Sequence, residues 1–477
     1  MKRSLSFYTV FFIVCMLVMK LSGILSKIVL ARAINPYEYG IITLVVISLP
    51  NMFQLFTVFC LYALLSHSKE GKKYFGFSVF YGVIMSLFIG GIVFIFHNEI
   101  FTFLNLPLKE WQILFLGFFI VLISNAILAD MLGILRGLRR YSLSSILSSS
   151  PPVLKLFLIL IAVYLLNITD FDTLLLIFAL SPLLVLIGIL IKEWRKLCPL
   201  IRSINIPSKD MFLFGISIFV VSLFGALTQS LNKIVVSHDL GVEYQGYFDV
   251  SFTLVAILGF SFVAMGFIAI PEATYAKNKK DLLFKTGGLG DVARALFSFL
   301  LFCVILLYFY SYQFVDFLFS RDYMIAADHV YILAIGYIFL FIQQFSAYVN
   351  ISFSRDTGEY RQLILITLIL LVLSPFVTHL LIQIQGFMGA YISAALFFIL
   401  YAIVSFLFMR DHSPVKALFY RGDRLLASTA FIIVPLYLLN LSFWYGLILG
   451  GILYLITLLI FKYVDISLLV SIFQEKK

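Results

Sequence analysis

The chain has 477 residues, of which 62% are hydrophobic and only 12% charged, and a net charge of +10; its mean hydropathy is +1.07. No soluble core absorbs that much apolar surface, so the composition excludes a water-soluble globular protein. The four cysteines, Cys15, Cys60, Cys198 and Cys303, have no metal-ligand spacing and read as small apolar residues.

Apolar runs of roughly 20 residues, each long enough to cross about 30 Å of hydrocarbon as a helix, recur from end to end. Stretches such as 157–165 and 363–373 do not alternate, which argues against a membrane barrel. In chain order the predicted spans are 5–31, 39–65, 74–96, 111–135, 146–166, 173–191, 212–236, 246–270, 292–311, 331–353, 362–383, 387–409, 425–440 and 444–462, fourteen in all. The first is too long for a cleavable signal, and no small-residue cleavage site follows it. A cytoplasmic N-terminus places most basic loops inside, leaving only Arg32, Lys109 and Arg321 outside. Trp111, Trp194 and Trp444 fall at predicted span ends, as interfacial tryptophans do. The expectation is an all-α, multi-pass protein of the cell (inner, cytoplasmic) membrane with both termini cytoplasmic. Its positive charge then reflects topology and attraction to anionic membrane lipids, with no need for nucleic acid.

The basic, proline-containing stretch 192–210 separates six predicted spans from the next six and reads as a linker. Sliding the chain by 206 residues lays Ser26-Lys27-Ile28-Val29 on Asn232-Lys233-Ile234-Val235 and, without a gap, Gly40 on Gly246. Six is even, so the two halves run the same way and are expected to be related by an axis along the membrane normal, with a site between them. The expected organisation is a lobe over 1–197, a pseudo-symmetric lobe over 210–409 and two further helices within 420–477. Connections on the outer face are short, the longest at 312–330, which leaves no room for an external catalytic domain.

Lys20, Lys27, Lys155 and Lys233 lie inside apolar segments, where a cation is costly and by default marks a substrate or ion path. Lys20 and Lys27 are seven residues apart and share one helix face within about 20°. Lys20 lies roughly 22 Å along its helix at 1.5 Å per residue, deep in the membrane. It contacts an anionic substrate or pairs with Asp249 or Asp130. Lys27 and Lys233 are close enough to the outer interface to snorkel there, or they face a cavity. Lys155 follows Ser148-Ser149-Ser150-Pro151-Pro152; a kinked, serine-lined helix there suits a phosphate contact, or a packing kink with the lysine paired to an acid. Asn51, Gln54, Gln229, Asn232, Gln343 and Gln344 offer both donors and acceptors to sugar hydroxyls, or hydrogen-bond between helices. Asp249 is a candidate for a coupling proton or sodium ion, and no other cofactor or metal is expected. Asp130 is expected to pair with a nearby arginine, and Arg136, Arg139 and Arg140 read as topology determinants.

Three stretches carry a resemblance: Ala33-Ile34-Asn35-Pro36-Tyr37-Glu38-Tyr39-Gly40; Asn232-Lys233 with Leu240-Gly241 and Gly246-Tyr247; and Gly386-Phe387-Met388-Gly389-Ala390. With fourteen spans, the chain resembles the polysaccharide flippases, including O-antigen exporters, of the multidrug/oligosaccharidyl-lipid/polysaccharide exporter superfamily. Asn232 stands where members often carry Asp. The resemblance implies an alternating-access transporter that moves prenyl-pyrophosphate-linked oligosaccharide from the inner to the outer leaflet, a non-enzymatic role, with glycan-assembly proteins as further partners. The alternatives are a multidrug extruder of the same superfamily, which moves cationic compounds, and a membrane glycosyl polymerase, which needs a larger outer loop. A topology reporter fused within 192–210 is expected to read cytoplasmic; an extracytoplasmic signal there overturns the fourteen-span arrangement.

Overall fold

The computed structural model describes residues 5–57, 71–138, 140–202, 204–207, 227–262, 265, 283–284, 288–353, 357–408, 411–438, 442–461 and 463. Arg139, Arg410, the lysines and arginines at both ends of the chain, and parts of the predicted spans 39–65, 212–236 and 246–270 lie outside them. The described residues are helical and contain no strand: α1 (Leu5–Ala33), α2 (Pro36–Thr43), α3 (Leu49–Thr57), α4 (Phe75–Ile95), α5 (His97–Phe103), α6 (Trp111–Gly137), α7 (Tyr141–Leu160) and α8 (Phe171–Arg202) come first. They are followed by α9 (227–240) and then α10 (Val242–Val255), α11 (Leu289–Leu318), α12 (Val330–Phe353), α13 (Thr357–Gln385), α14 (Phe387–Phe408), α15 (Ser413–Leu418), α16 (Gly422–Leu438) and α17 (Phe443–Ile460). Among the described residues, ten helices are long and apolar enough to cross a membrane. Large apolar side chains stand exposed on them, such as Ile191 at 76% and Leu407 at 77%. Such surfaces suit lipid and not water, and helices satisfy their own backbone there. The chain is a multi-pass helical membrane protein.

By packing, residues 1–253 with 364–393 make one compact unit, and 254–363 with 394–477 a second. This partition follows contacts and cuts across the sequence blocks 1–197, 210–409 and 420–477. In the first unit α7 lies along α1, and α6 packs against α4 and α8. Phe75, Met131, Ile134, Leu147 and Leu197 join α4, α6, α7 and α8 in one buried cluster. In the second unit α11 packs on α12, α16 and α17; Arg294 bonds Asp291 and donates to the Ala417 carbonyl (3.0 Å).

Local chemistry explains the breaks. Asn35 caps α2 by accepting from the Glu38 amide (2.9 Å), with Pro36 in the first turn. The predicted span from 39 is not one regular helix: a π turn over Leu44–Ser48 separates α2 from α3. Helix α7 continues through Pro151 and Pro152, which supply no amide proton. The hydroxyls of Ser148, Ser149 and Ser150 bond the carbonyls of Ser145 and Ile146 one turn earlier. The stretch 192–202, expected as linker, is instead the end of α8. Leu197, Leu200 and Ile201 pack into the buried cluster there, and Glu193 receives Arg140 (2.5 and 2.9 Å). That bond outweighs partial burial and raises the Arg140 proton affinity above its ordinary value, so the brace stays charged. The remainder to residue 207 is irregular, and 208–210 lies outside the described residues.

Gly40 and Gly246 let α2 and α10 cross backbone to backbone. A Cβ on Gly40 would collide with the Val242 carbonyl, and one on Gly246 with the Pro36 carbonyl. Gly386 has φ +60° and turns α13 into α14. We expect Gly246→Leu to destabilise the protein by at least about 1–3 kcal/mol through overpacking. Gly23→Leu, where no atom stands within 4 Å of the added Cβ, should be near neutral, as measured by thermal unfolding in detergent.

Candidate substrate and ion site

Lys27 near the end of α1, Lys233 on α9 and Asp249 on α10 converge. Lys27 Nζ donates to both carboxylate oxygens of Asp249 (3.0 and 2.8 Å), and Lys233 Nζ bonds Oδ1. Tyr39 on α2 donates its hydroxyl to Oδ2 (2.7 Å). Thr253 lies 3.4 Å from Lys27 Nζ while bonding the Asp249 carbonyl (2.8 Å). The Asp249 side chain is fully buried, and those of Lys233 and Lys27 are 7% and 17% exposed. Lys233 also stands over the Phe252 ring, 5.4 Å from its centroid. Two cations thus share one anion in a region of low dielectric, and the group as a whole is positive. Lys27 and Lys233 both reach one carboxylate.

The 206-residue offset of the sequence repeat has a physical counterpart here. It pairs Lys27 with Lys233 and Gly40 with Gly246, and it also pairs Tyr39 with Gln245 and Thr43 with Asp249. Tyr39 donates to Asp249, and Gln245 donates to Thr43 Oγ1 (3.3 Å), so the two bonds are related by the same offset. The symmetry is broken in charge: one arm ends on a carboxylate and the other on a hydroxyl.

The other candidates are dispersed. Lys155 on α7 stands 4.5 Å from the Phe178 ring centroid on α8. Lys20 is half-buried two turns before Lys27 on the same helix and forms no ion pair among the described residues. Its expected acid partners are engaged elsewhere: Asp249 as above, and Asp130 with Ser78 Oγ (2.5 Å) and not with an arginine. Arg136 and Arg140 instead bond Ser144 and Glu193; they stand at and just after the end of α6, well along the chain from the buried carboxylate. Asn51 and Gln54 are half-buried on α3, and Gln229 on α9. Asn232 is fully buried; its Oδ1 accepts from Thr378 Oγ1 (2.9 Å) on α13, an interhelical bond, while its Nδ2 has no partner. Gln343 is buried on α12. Tyr39, Thr253 and Gln245 were not singled out by the sequence; the repeat offset, applied beyond lysine and glycine, points to Tyr39 and Gln245.

A second set of bonds fastens the end of α9 to the turn after α5. Asn105 Nδ2 donates to the carbonyls of Ser237 (2.8 Å) and His238 (2.9 Å), and Ser237 Oγ donates to the Leu104 carbonyl (2.6 Å). His238 stacks on Phe103 at 4.1 Å. An apolar pocket of about 440 Å³, lined by Leu49, Phe53, Phe101, Phe118 and Ile234 among others, has Glu99 as its only charged wall. It offers almost nothing for a sugar to hydrogen-bond.

The family model described as "Polysaccharide biosynthesis protein" matches residues 8–275. Among solved structures, the chain is similar to one described as lipid II flippase MurJ in an inward closed conformation: 13% identity, 94% of this chain and 98% of that one covered, TM-score 0.67. It is also similar to an inward-facing multidrug resistance MATE family transporter of the MOP superfamily, at 14% identity over 83% and 94% of the two chains, TM-score 0.59. A third is a MOP superfamily transporter from Pyrococcus furiosus, at 15% identity over 87% and 95%, TM-score 0.51. These likenesses establish the fold. No protein with a curated description matches the chain by sequence.

Asp249→Asn leaves Lys27 and Lys233 buried without an anion, and we expect it to destabilise the protein by about 3–5 kcal/mol. Combining it with Lys27→Met and Lys233→Met should recover most of that loss, as read by thermal unfolding of the detergent-solubilised chain.

Proposed function

The chain belongs to the polysaccharide biosynthesis protein family, and on that premise we propose that it is a flippase, not an enzyme. In this reading it carries prenyl-pyrophosphate-linked oligosaccharide across the cell membrane by alternating access. The observation that carries the reading is the excess of cations. Lys27 and Lys233 share Asp249, while Lys155 has an aromatic ring for a neighbour and Lys20 forms no ion pair among the described residues. A pyrophosphate entering a low-dielectric site loses hydration, and charge-assisted bonds from these lysines offset the loss. Asp249 then acts as the resident counter-ion with which the substrate anion competes. It is also the candidate for coupling to a proton or sodium ion, since releasing the lysines changes what its carboxylate must bind. Asn51, Gln54, Gln229 and Asn232 are proposed sugar contacts, Asn232 through the amide nitrogen left over from its bond to α13.

The solved flippase MurJ, whose description names a lipid-linked substrate, supports this reading by fold. A multidrug extruder is the rival, by likeness to the MATE transporter. Cationic drugs need carboxylates, however, and this site is net positive. The repeat blocks 1–197 and 210–409 are proposed as the moving lobes, with 420–477 attached, cytoplasmic termini, and glycan-assembly proteins as partners.

Lys20→Gln and Lys155→Gln keep length and polarity but lose the charge; each should lower export about 10- to 100-fold, the worth of one charge-assisted bond. Arginine at either position should retain part of the activity. Surface glycan measured in complemented cells, with expression checked alongside, tests this. Full export by both glutamine variants sinks the anion-site reading and favours the extruder.

A further inference from the structure

One buried charge takes no part in the site above. Asp130 on α6 is 1% exposed; its Oδ1 accepts from Ser78 Oγ, and its Oδ2 has no hydrogen-bond partner among the described residues. Among the described residues no lysine, arginine or histidine forms an ion pair with it. On the facing helix α4, Gly82 leaves a notch the size of one Cβ. The atoms facing it are the Thr57 carbonyl oxygen at 3.3 Å from where that Cβ would stand, and Asp130 Oδ2 and Ala126 Cβ at 3.6 Å each. Thr57 on α3 is itself 1% exposed, and its hydroxyl is without a partner among the described residues. Helices α3, α4 and α6 therefore bring together a carboxylate, the Ser78 hydroxyl bonded to it and the Thr57 main-chain carbonyl.

A carboxylate buried in a membrane span is neutralised either by a proton or by a cation. A proton satisfies Oδ2 alone. A hard cation takes the carboxylate, the Thr57 carbonyl and a lone pair of Ser78 together, the ligand set such ions prefer. With a single carboxylate, a monovalent ion leaves the site neutral, whereas a divalent ion leaves a buried positive charge. We propose that Asp130, Thr57 and Ser78 form a sodium-binding site at the Gly82 notch, where α3, α4 and α6 meet. Binding rests on these residues alone; only its use, as a driving ion whose occupancy biases one state of the transporter, rests on the flippase reading.

The test uses the full-length chain purified in detergent without lipid-linked substrate. Binding of 22Na+ is measured by scintillation proximity, and thermal unfolding is compared in NaCl and in choline chloride of equal ionic strength. The expected result is saturable 22Na+ binding with a higher melting temperature in NaCl, because a ligand bound only by the folded state stabilises it. Both should be lost in Asp130→Asn, which keeps an acceptor for Ser78, and in Gly82→Ala, which fills the notch and leaves every ligand in place. If Asp130→Asn does not fold, Ser78→Ala and Gly82→Ala decide. The proposal is overturned if the wild type shows no sodium effect, or if the folded variants bind sodium as the wild type does. It is equally overturned if Asp130→Asn is more stable than wild type in both salts, the signature of a carboxyl already satisfied by a proton. Lys155→Gln should keep 22Na+ binding while losing export, so failure of this site and failure of the flippase reading are seen separately.

Discussion

The Asp249 carboxylate is where four segments of the first packing unit meet: α10 supplies it, α1 and α9 bring Lys27 and Lys233 to it, and α2 adds the Tyr39 hydroxyl. None of these groups is tolerable alone in a hydrocarbon-like interior, so each fixes the others. Lysines from different helices would repel without the carboxylate, and the carboxylate would be desolvated without them. Apolar side chains of similar volume could hold the same helices at least as firmly. Stability alone is therefore a poor account of the cluster, and what sets it apart is its unequal charge, two lysines on one carboxylate.

The close crossing of α2 and α10 makes that cluster possible. Without a Cβ on Gly40 and Gly246 the two backbones meet, and only then does Tyr39 reach across to Asp249 and Gln245 reach back to Thr43. The two offset-related bonds end differently, one on a carboxylate and one on a hydroxyl. A carboxylate at position 43 would match the pair of lysines one to one and remove the excess charge.

Helix positions were legible in the sequence because lipid imposes a length and an apolar composition on each span: 111–135, 331–353 and 387–409 were expected, and α6, α12 and α14 occupy nearly those bounds. The end of α8 was not legible, since the charges and prolines of 192–202 look like linker unless one knows that Glu193 is met by Arg140 and that Leu197 has a cluster to enter. The costly residues of the site were visible for the same reason that spans were: a lysine in an apolar run stands out. Their partners were not, because which side chains meet across helices depends on how each helix is rotated about its axis, and composition leaves that open. The sequence offers Asp249 as a coupling site or a partner for Lys20, and Asp130 as a partner for Lys20 or an arginine; packing gives the first Lys27 and Lys233 and the second a serine.

Asn105 meets two demands with one side chain. Its backbone lies in the left-handed region at φ 55°, which glycine, asparagine and aspartate adopt at least cost, and its amide donates to two successive main-chain carbonyls at the end of α9. Glycine would keep the turn and lose both bonds; aspartate would keep the turn and set an acceptor against two acceptors; glutamine and serine would strain the turn. The carbonyls it recognises are main chain, so these two bonds depend on the side chain at 105 alone, while the side chains at 237 and 238 add ties of their own, Ser237 to the Leu104 carbonyl and His238 to Phe103.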